Sequence, residues 1–291
     1  VLCTLYFKSS YPRPINNRVI TWPNFNIHSI NIIILIMIFT QLIQTNLKSK
    51  ELGKKIEYYH RLESTNNESW ELIKESQNHG TIVITDNQIN GRGRNKHSWE
   101  MIPGKSLTFS TIIEKDYPSD LSGLLSLASG IAVIESLIKR GVNAKLKWPN
   151  DIFFDKKKLG GILCETKMAK TKINKIVIGV GINVNEDINE YSNDMQKKAI
   201  SMFNITGHPH QRELIVAEFI NSLEIQLKYL IKEPKRIINS WHKHCGNIDK
   251  KITFHKKGKL IEGVFIGLNK YGFAKIKINN KVNTYNSINL F

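Results

Sequence analysis

The sequence predicts an α+β fold: a mixed β-sheet with helices in one domain, followed by a small C-terminal β-barrel. Two observations carry this prediction. Through most of the chain, short runs of β-branched and apolar residues, such as 81–85 and 106–113, alternate with longer amphipathic segments such as 211–231. From Lys250 onward, short strands are separated by turn signals, which is typical of a small barrel of about 45 residues. A domain boundary near Asn247 follows.

Local signals place the elements of the first domain in order. Residues 56–60 form a strand, and Thr65-x-x-Glu68 matches a capping box that begins a helix reaching about Gln77. A second helix starts at Ser119-Asp120 and ends at Gly141. Strands follow at 144–148, 152–154, 159–165 and 175–184, with a lysine-rich turn at 155–158, and helices at 211–231 and 234–244, the last opened by Pro234.

The N-terminal residues differ from the rest. Residues 30–39 form an apolar run, but a membrane-spanning helix needs about 20 residues, and no small-residue cleavage site follows the run. The first methionine is Met37, so we expect residues 1–36 to lie upstream of the working protein. The predicted segments are therefore 1–54, an N-terminal extension; 55–247, the main domain; and 248–291, the barrel.

Composition narrows the class of protein. A hydrophobic content of 41% supports a packed core and excludes a disordered chain. The cysteines Cys3, Cys164 and Cys245 are odd in number and widely spaced, which argues against a disulfide framework and favours the cytoplasm. A net charge of +17 would suit nucleic acid or an acidic protein surface, but the lysines are spread along the chain, which indicates a composition bias more than a binding stripe.

The most informative segment is 91–99, Gly-Arg-Gly-Arg-Asn-Lys-His-Ser-Trp. Glycine lets a backbone approach a ligand closely, and arginine offers a planar fork of donors that fits carboxylate or phosphate oxygens. The segment joins two predicted strands and opens no helix, which excludes a P-loop and a dinucleotide-binding fingerprint. Such a loop is suited to closing over a small anion, although alone it could equally be a solvated basic turn.

Four other motifs accompany this loop: Ser-Thr-Asn at 64–66, Lys-Trp-Pro-Asn-Asp at 147–151, Lys-Leu-Gly-Gly-Ile-Leu at 158–163 and Gly-Val-Gly-Ile-Asn-Val-Asn at 179–185. Each is weak alone. In this order and at these spacings they resemble the biotin protein ligase family over residues 55–291. The resemblance implies a class II synthetase-like catalytic domain, with helices packed on one face of a mixed sheet, and an SH3-like C-terminal barrel.

The activity that the resemblance implies is that of a biotin–[acetyl-CoA-carboxylase] ligase. Biotin and ATP form biotinyl-5′-AMP and pyrophosphate, and a lysine of a biotin carboxyl carrier protein then attacks the mixed anhydride and releases AMP. Because two anions must meet, positive charge is required. Mg²⁺ is expected only with the ATP phosphates; the histidine pairs 208/210 and 242/244 lack a full ligand set, so no protein metal site is expected.

The resemblance also assigns site residues. Lys158 contacts the biotin carboxylate and the α-phosphate, Arg94 clamps the anions, and Asp151 orients the acceptor lysine or accepts its proton. The catalytic set is Lys158, Arg94 and Asp151. The biotin-binding set is Ser64, Thr65, Asn66, Gln88, Arg92, Gly93, Arg94, Lys158 and Gly161. The ATP or adenylate-binding set is Gly91, Arg92, Arg94, Trp99, Lys158 and Asn183.

The chain departs from the family pattern in places. Residues 1–54 show no helix pair with a glycine turn, so a DNA-binding repressor domain and specific DNA binding are not expected. Asn95-Lys96 stands where relatives commonly have Arg-Gly, and residues 285–291 lack the paired glycines of some members, which puts a C-terminal contact to ATP in doubt.

Two alternative functions stay open. One is a lipoate or octanoate ligase or transferase of the same fold. The other is a basic nucleic-acid-binding protein in which Phe265, Tyr271 and Phe273 form a stacking platform, although this spacing also fits a barrel core. No membrane association is expected. The oligomeric state, a homodimer included, the identity of the acceptor and any regulatory role are not encoded in a recognisable motif.

Overall fold

The computed structural model describes residues 37–256 and 259–288; the expectation for residues 1–36 lies outside this range. The described helices are α1 (Thr40–Asn46), α2 (Thr65–Glu75), α3 (Ser122–Ile138), α4 (Asn193–Lys198), α5 (Met202–Thr206), α6 (Arg212–Lys232) and α7 (Pro234–His244). The described strands are β1 (Ile56–Tyr59), β2 (Ile82–Thr85), β3 (Gly91–Arg92), β4 (Ser98–Trp99), β5 (Leu107–Ile113), β6 (Tyr117–Pro118), β7 (Lys145–Lys147), β8 (Asp151–Phe154), β9 (Lys157–Ala169), β10 (Lys172–Ile182), β11 (Lys250–Lys256), β12 (Lys259–Leu268), β13 (Ala274–Ile278) and β14 (Lys281–Tyr285).

The main sheet has the strand order β1-β2-β5-β10-β9-β8-β7, with β6 also paired to β10. Strands β1 and β2 are parallel and the other pairs are antiparallel, so the predicted mixed sheet is confirmed. Successive side chains of a strand point to opposite faces, and the two faces are covered differently. Helix α3 lies on one face with α6 and α7 packed against it, as predicted, whereas the shorter α2 packs on the other face.

The central helix of the fold is the apolar α3. With the 3₁₀ turn Ser119–Leu121 that precedes it, it forms the one helical stretch in the described ranges that is long and apolar enough to cross a membrane. Within its most apolar window, 72% is buried inside the fold. Its residues belong to the main hydrophobic cluster together with the sheet, α6 and α7. The apolarity of α3 is therefore explained by its place in the core.

Residues 38–54 belong to the main domain, which corrects the predicted segment 1–54 for this part of the chain. Ile38, Ile43 and Leu52 are buried in the main core, and α1 packs on α6. Glu224 of α6 accepts hydrogen bonds from the backbone N–H groups of residues 50–52. These contacts join residues more than 170 positions apart, so no local pattern in the sequence announces them.

The C-terminal part, predicted as a small SH3-like barrel, is a four-stranded antiparallel sheet in the order β11-β12-β13-β14. Phe265 of β12 is fully buried and packs near Trp241 of α7, so it belongs to the core and offers no face for base stacking. Trp148 Nε1 donates a hydrogen bond to the carbonyl oxygen of Gly272 at 3.0 Å. The unit thus shares its hydrophobic cluster with the main domain.

Two local details differ from the sequence prediction. The N-cap of α2 is Ser64, whose hydroxyl accepts from the backbone N–H of Asn67, while Glu68 accepts from the hydroxyl of Tyr59 at 2.7 Å instead of closing a capping box with Thr65. The turn between β8 and β9 consists of residues 155–156, both with positive φ. Lys158, predicted to end that turn, is therefore held within β9.

Candidate active site

The candidate site is a cavity of about 540 Å³ on the α2 face of the main sheet. Its floor consists of three glycines on adjacent strands, Gly161 of β9 and Gly179 and Gly181 of β10, with Gly161 directly opposite Gly181. We call this set the glycine floor. A Cβ on Gly179 would overlap the side-chain oxygen Oδ1 of Asn66, and one on Gly181 would overlap the ring of Trp99. Glycine at these positions lets side chains and a ligand approach the sheet backbone.

Most predicted site residues line this one cavity: Ser64, Thr65, Asn66, Gln88, Arg92, Gly93, Arg94, Trp99, Asp151, Lys158, Gly161 and Asn183. Gly91 lies outside it, against an adjoining groove, and a Cβ there would overlap the carbonyl oxygen of Trp99. Gly91 is therefore explained by the tight pairing of β3 with β4. The sequence-predicted binding role of Gly91 has no cavity contact to support it.

The basic loop, residues 91–99, crosses the cavity. It folds as the short hairpin β3–β4 with the 3₁₀ turn Arg94–Lys96 between the strands. The chain leading into it is fixed by Asp86, which forms an ion pair with Arg212 of α6 at 3.1 Å and accepts from the hydroxyl of Tyr58. Both ion-pair side chains are only 3% exposed. The segment that leads into the loop is therefore held firmly against α6 and β1.

Lys158 and Asp151 form the charged centre of the site. Lys158 Nζ lies 2.6 Å from Asp151 Oδ1, and both side chains stand beside the glycine floor, next to where a Cβ on Gly161 would lie. Asp151 opens β8 opposite Gly161, and Lys158 lies on the neighbouring strand opposite Phe153. Lys147 lies nearby, and burial lowers the pKa of its amine while Asp151 opposes that shift. The site therefore combines a partly exposed cation with a carboxylate acceptor.

Arg94 reaches the same side of the cavity. Its Nη1 donates to Asn150 Oδ1 at 3.3 Å, and its Nη2 donates to the hydroxyl of Ser287 at 3.1 Å. Burial lowers the pKa of the Arg94 guanidinium, while the charge of Asp151 raises it; the group stays cationic because its ordinary pKa is far above neutrality. Neither Asn150 nor Ser287 was predicted as a site residue.

Neutral polar side chains surround the opposite end of the cavity. The backbone N–H and the hydroxyl of Thr65 donate to Gln88 Oε1 at 2.8 and 3.2 Å, and the hydroxyl of Ser110 lies 2.7 Å from both Thr65 Oγ1 and Asn66 Oδ1. Gln88 uses its carbonyl oxygen in these bonds, which leaves its Nε2 group free to donate to a ligand. Ser64 caps α2 and so positions Thr65 and Asn66.

Trp99 and Asn183 border the site in different ways. The indole of Trp99 lies on Gly181, and its buried Nε1 has no hydrogen-bond partner within the described protein. Asn183 Nδ2 donates to the carbonyl oxygens of Lys158 and Ile200 at 3.4 and 3.0 Å. Asn183 therefore ties the segment after β10 to the strand that bears Lys158.

Glu165 of β9 was not among the site residues predicted from the sequence. Its carboxylate accepts from Asn66 Nδ2 at 2.9 Å, from Trp70 Nε1 at 3.1 Å and from Arg92 Nη2 at 3.1 Å. The available signal was strand alternation: Gly161, residue 163 and Glu165 share one face of β9. An acidic residue two positions beyond the apolar motif at 158–163 was a candidate for an inward position.

The comparisons with known proteins agree with this geometry. Residues 58–183 match the model of the biotin/lipoate A/B protein ligase family. The bifunctional ligase/repressor BirA of Bacillus subtilis is 26% identical over 242 residues, 82% of this chain and 74% of that protein. The biotin–[acetyl-CoA-carboxylase] ligase of Mycobacterium tuberculosis is 30% identical over 153 residues, 51% of this chain and 54% of that protein.

A solved structure shares the fold. The biotin protein ligase from Aquifex aeolicus in complex with biotin and ATP superimposes with a TM-score of 0.69 at 26% identity, covering 82% of this chain and 99% of that one. The match extends well beyond the segment 58–183 and includes most of the described chain. On these sequence and structure matches, the chain is similar to the biotin/lipoate A/B protein ligase family over residues 58–183, and the solved structure that resembles it over most of its length is a biotin protein ligase.

Proposed function

We propose that this protein is an ATP-dependent biotin protein ligase, which forms biotinyl-5′-AMP and then transfers biotin to a lysine of a biotin carboxyl carrier protein. The observation that carries the proposal is the division of one cavity into two chemically different ends. One end holds Lys158, Asp151 and Arg94, and the other holds Thr65, Asn66 and Gln88. A ligand with a neutral hydrogen-bonding head and a carboxylate tail fits that division.

The charged end supports the first step. In it, a carboxylate oxygen of biotin attacks the α-phosphorus of ATP, and the bond to the β-phosphate oxygen breaks to release pyrophosphate. Lys158 and Arg94 offset the repulsion between the two anions and stabilise the charge that develops on the phosphoryl oxygens. In the unliganded protein Asp151 neutralises Lys158, so an entering substrate anion competes with Asp151 for that amine.

Asp151 supports the second step. The amine of the acceptor lysine must lose protons as its nitrogen attacks the carbonyl carbon of the anhydride and AMP leaves. A carboxylate next to Lys158 can orient the incoming ammonium group and accept a proton from it. We assign that role to Asp151; no enzyme nucleophile is required.

The basic loop supplies the cover. Biotinyl-5′-AMP is a mixed anhydride and hydrolyses in water, so a site that makes it must exclude solvent. Arg92 and Arg94 contact residues on the two sides of the cavity, Glu165 on one side and Asn150 on the other, which holds the loop across it. Opening and closing of this loop would govern substrate entry and release of the intermediate.

Mg²⁺ would enter with ATP. In the described ranges, no three His, Cys, Asp or Glu side chains gather into a metal site. The carboxylate of Asp151 is already paired with Lys158. The donor set therefore fits an ion held mainly by the phosphates, where it would neutralise the charge of the leaving pyrophosphate.

The polar end favours biotin over lipoate. The ureido ring of biotin carries two N–H donors and one carbonyl acceptor, whereas the dithiolane ring of lipoate carries no N–H donor and no oxygen acceptor. Gln88 Nε2 can donate to a ligand carbonyl, and the oxygens of Thr65 and Asn66 can accept from ligand N–H groups. A ligand lacking these groups would leave Gln88 Nε2 unpaired and would gain no hydrogen bonds from Thr65 and Asn66, so it would bind more weakly.

Mass spectrometry of an acceptor tests the proposal. We expect a biotin carboxyl carrier domain incubated with the protein, biotin and Mg·ATP to gain one biotinyl group on one lysine, with AMP released. Omitting ATP is the control and should abolish the modification. An unmodified carrier, under conditions where a known biotin protein ligase modifies it, would contradict the proposal.

Cellular location, assembly and domain organisation complete the proposal. Burial raises the pKa of the Cys164 thiol to about 12 and that of Cys245 to about 11, so both stay protonated and unreactive, which suits a protein of the reducing cytoplasm. We propose residues 38–247 as the catalytic domain and 248–291 as a C-terminal domain packed on it. We propose that the protein binds no specific DNA sequence. Whether it forms a homodimer is tested by sedimentation with and without biotin and ATP.

A further inference from the structure

Glu165 lies at one end of the cavity, just outside the residues that line it. On β9, Gly161 and residue 163 line the cavity, and Glu165 is the next residue on the same face. Three donors from two other segments converge on its carboxylate: Asn66 and Trp70 from α2, and Arg92 from the basic loop. One side chain thus joins the sheet, the helix and the loop around the site.

The contact with Asn66 fixes the orientation of that amide. An ionised carboxylate only accepts hydrogen bonds, so the group facing Glu165 must be the NH₂ of Asn66. Asn66 Nδ2 donates to Glu165 at 2.9 Å and to the carbonyl oxygen of residue 163 at 3.3 Å, which uses both protons. Asn66 Oδ1 is thereby directed to Ser110 and the backbone of Gly179. What Asn66 can offer to a ligand is an acceptor.

The contact with Arg92 restrains the loop. The Arg92 side chain is 42% exposed, and its guanidinium reaches from the basic loop to Glu165 of the main sheet. Its Nη2 lies 3.1 Å from both oxygens of Glu165, whose side chain is 26% exposed. Partial exposure limits the electrostatic gain, but the pair places a flexible arginine before substrate binds, and that lowers the entropy lost on binding.

We propose that Glu165 is a positioning residue for the biotin end of the site, holding Arg92 over the cavity and Asn66 in its acceptor orientation. The inference rests on the proposed biotin ligase activity. Glu165 itself touches no substrate. Its effect passes through two residues that do, and it therefore governs the affinity for biotin rather than the chemistry at Lys158.

Glu165→Gln separates the two contacts. The glutamine oxygen can still accept from Asn66, but the side chain carries no charge to hold Arg92. In biotin-dependent ATP–pyrophosphate exchange, we expect Glu165→Gln to raise the KM for biotin about tenfold, the usual loss for one hydrogen bond to a charged group. The KM for ATP and the melting temperature should change little. Glu165→Ala, which also frees Asn66, should raise the KM for biotin further.

The control and the double variant decide the outcome. Glu114, which directly follows β5 and lies outside the cavity, accepts a hydrogen bond from the backbone N–H of Asn78 and faces Lys175, so Glu114→Gln should leave the KM for biotin unchanged. In an Arg92→Ala background, Glu165→Gln should have almost no further effect, because the two side chains act as one unit.

Three results would overturn the inference. The first is an unchanged KM for biotin in Glu165→Gln. The second is a lowered KM for biotin, which would mean that Glu165 only competes with biotin for Arg92. The third is an equal fold increase in the KM for biotin when Glu165→Gln is made in the wild type and in the Arg92→Ala variant. Wild-type protein separates this failure from a failure of the proposed function: if it shows no biotin-dependent exchange, the activity assignment itself is wrong.

Discussion

Lys158 is the residue on which the proposed chemistry depends most. It is one of three consecutive lysines, yet only its neighbourhood contains a carboxylate at 2.6 Å and the glycine floor. Lys156 lies in the turn and Lys157 Nζ donates to the backbone carbonyl of Gln196 at 3.2 Å. Three residues of one type in a row therefore have three different environments, set by strand alternation and by the two-residue turn.

Replacing Lys158 tests this distinction. Lys158→Ala should reduce biotin-dependent pyrophosphate exchange by at least about a hundredfold, since loss of one group that stabilises developing charge costs about that much. Its melting temperature should stay near that of the wild type, because a partly exposed strand lysine contributes little to stability. Lys156→Asn, which removes the neighbouring charge at a turn position that asparagine tolerates, is the control and should be active. Normal exchange by Lys158→Ala would refute the role of Lys158.

The predicted site residues are those whose type is restricted by their motif, and their roles stay predictions. The motif residues were found because glycine, arginine and lysine recur at fixed spacings, and the structure brings all of the predicted set except Gly91 to one cavity. Glu165, Ser110, Asn150 and Ser287 were missed for one physical reason. They act by accepting or sharing hydrogen bonds with site residues across the fold, as Glu165 does with Arg92, 73 positions away.

At the scale of elements, α6 anchors the segment that precedes β1. Glu224 of α6 accepts from the backbone N–H groups of residues 50–52, and Lys228 Nζ lies 3.0 Å from it. Burial alone would favour the neutral acid, but these backbone and lysine hydrogen bonds outweigh it and lower the pKa of Glu224 to about 2, from an ordinary value of 4.5. The segment is thus held by a carboxylate that must stay ionised.

The pH dependence follows from that lowered pKa. Because Glu224 is more acidic when folded, its contribution to the free energy of unfolding is complete above about pH 4.5 and is lost as the pH falls towards 2. Glu224→Gln should therefore lower the free energy of unfolding at neutral pH by roughly 2–3 kcal/mol, and the loss should shrink in acid. Urea unfolding at pH 7 and pH 3 measures both values.

A matched carboxylate serves as the control for Glu224. Glu71 of α2 pairs with Lys74, but both side chains are more than half exposed, at 59% and 61%. An exposed pair of this kind contributes at most about 1 kcal/mol, so Glu71→Gln should change stability little at either pH. An equal loss in Glu224→Gln at pH 7 and pH 3 would contradict the ionised anchor.

The C-terminal sheet meets the site at Arg94. The guanidinium of Arg94 is shared between Asn150 of the main domain and Ser287, which follows β14. Arg94→Gly should release biotinyl-5′-AMP from the site and label lysines of bystander proteins as well as the acceptor. Ser287→Ala removes one of these two contacts of Arg94 and should give a smaller increase of the same kind. Labelling confined to the acceptor in Arg94→Gly would show that Arg94 does not hold the cover closed.

Elements were predicted best where a local signal marks their ends. Pro234 begins α7 and the helix ends at His244, as the sequence predicts, because proline fixes the first turn. The capping of α2 by Ser64 was misassigned because Ser64 and Thr65 are both suitable caps. The attachment of residues 38–54 to α6 was missed because its contacts are long-range, and such contacts leave no periodic trace in the sequence.

At the scale of the whole molecule, one hydrophobic cluster extends from Ile38 through α3 and the main sheet to Phe254 and Ile276 of the C-terminal sheet. The composition predicted a packed core but not this continuity. A shared core means that the C-terminal sheet and the catalytic domain stabilise each other. The position of Ser287, which accepts a hydrogen bond from Arg94, is therefore fixed relative to the cavity. The net charge of +17 would also draw an acidic carrier towards the protein, with a rate that falls as salt rises.

In the proposed reaction one cavity activates biotin with ATP, and biotin-dependent exchange of labelled pyrophosphate into ATP measures this activation most directly. The comparison is between equal concentrations of biotin, lipoate and octanoate with wild-type protein. We expect exchange with biotin and little with the other two, because only biotin satisfies the donors and acceptors of Thr65, Asn66 and Gln88. Exchange that favours lipoate or octanoate, or that needs no added acid, would contradict the proposed activation of biotin.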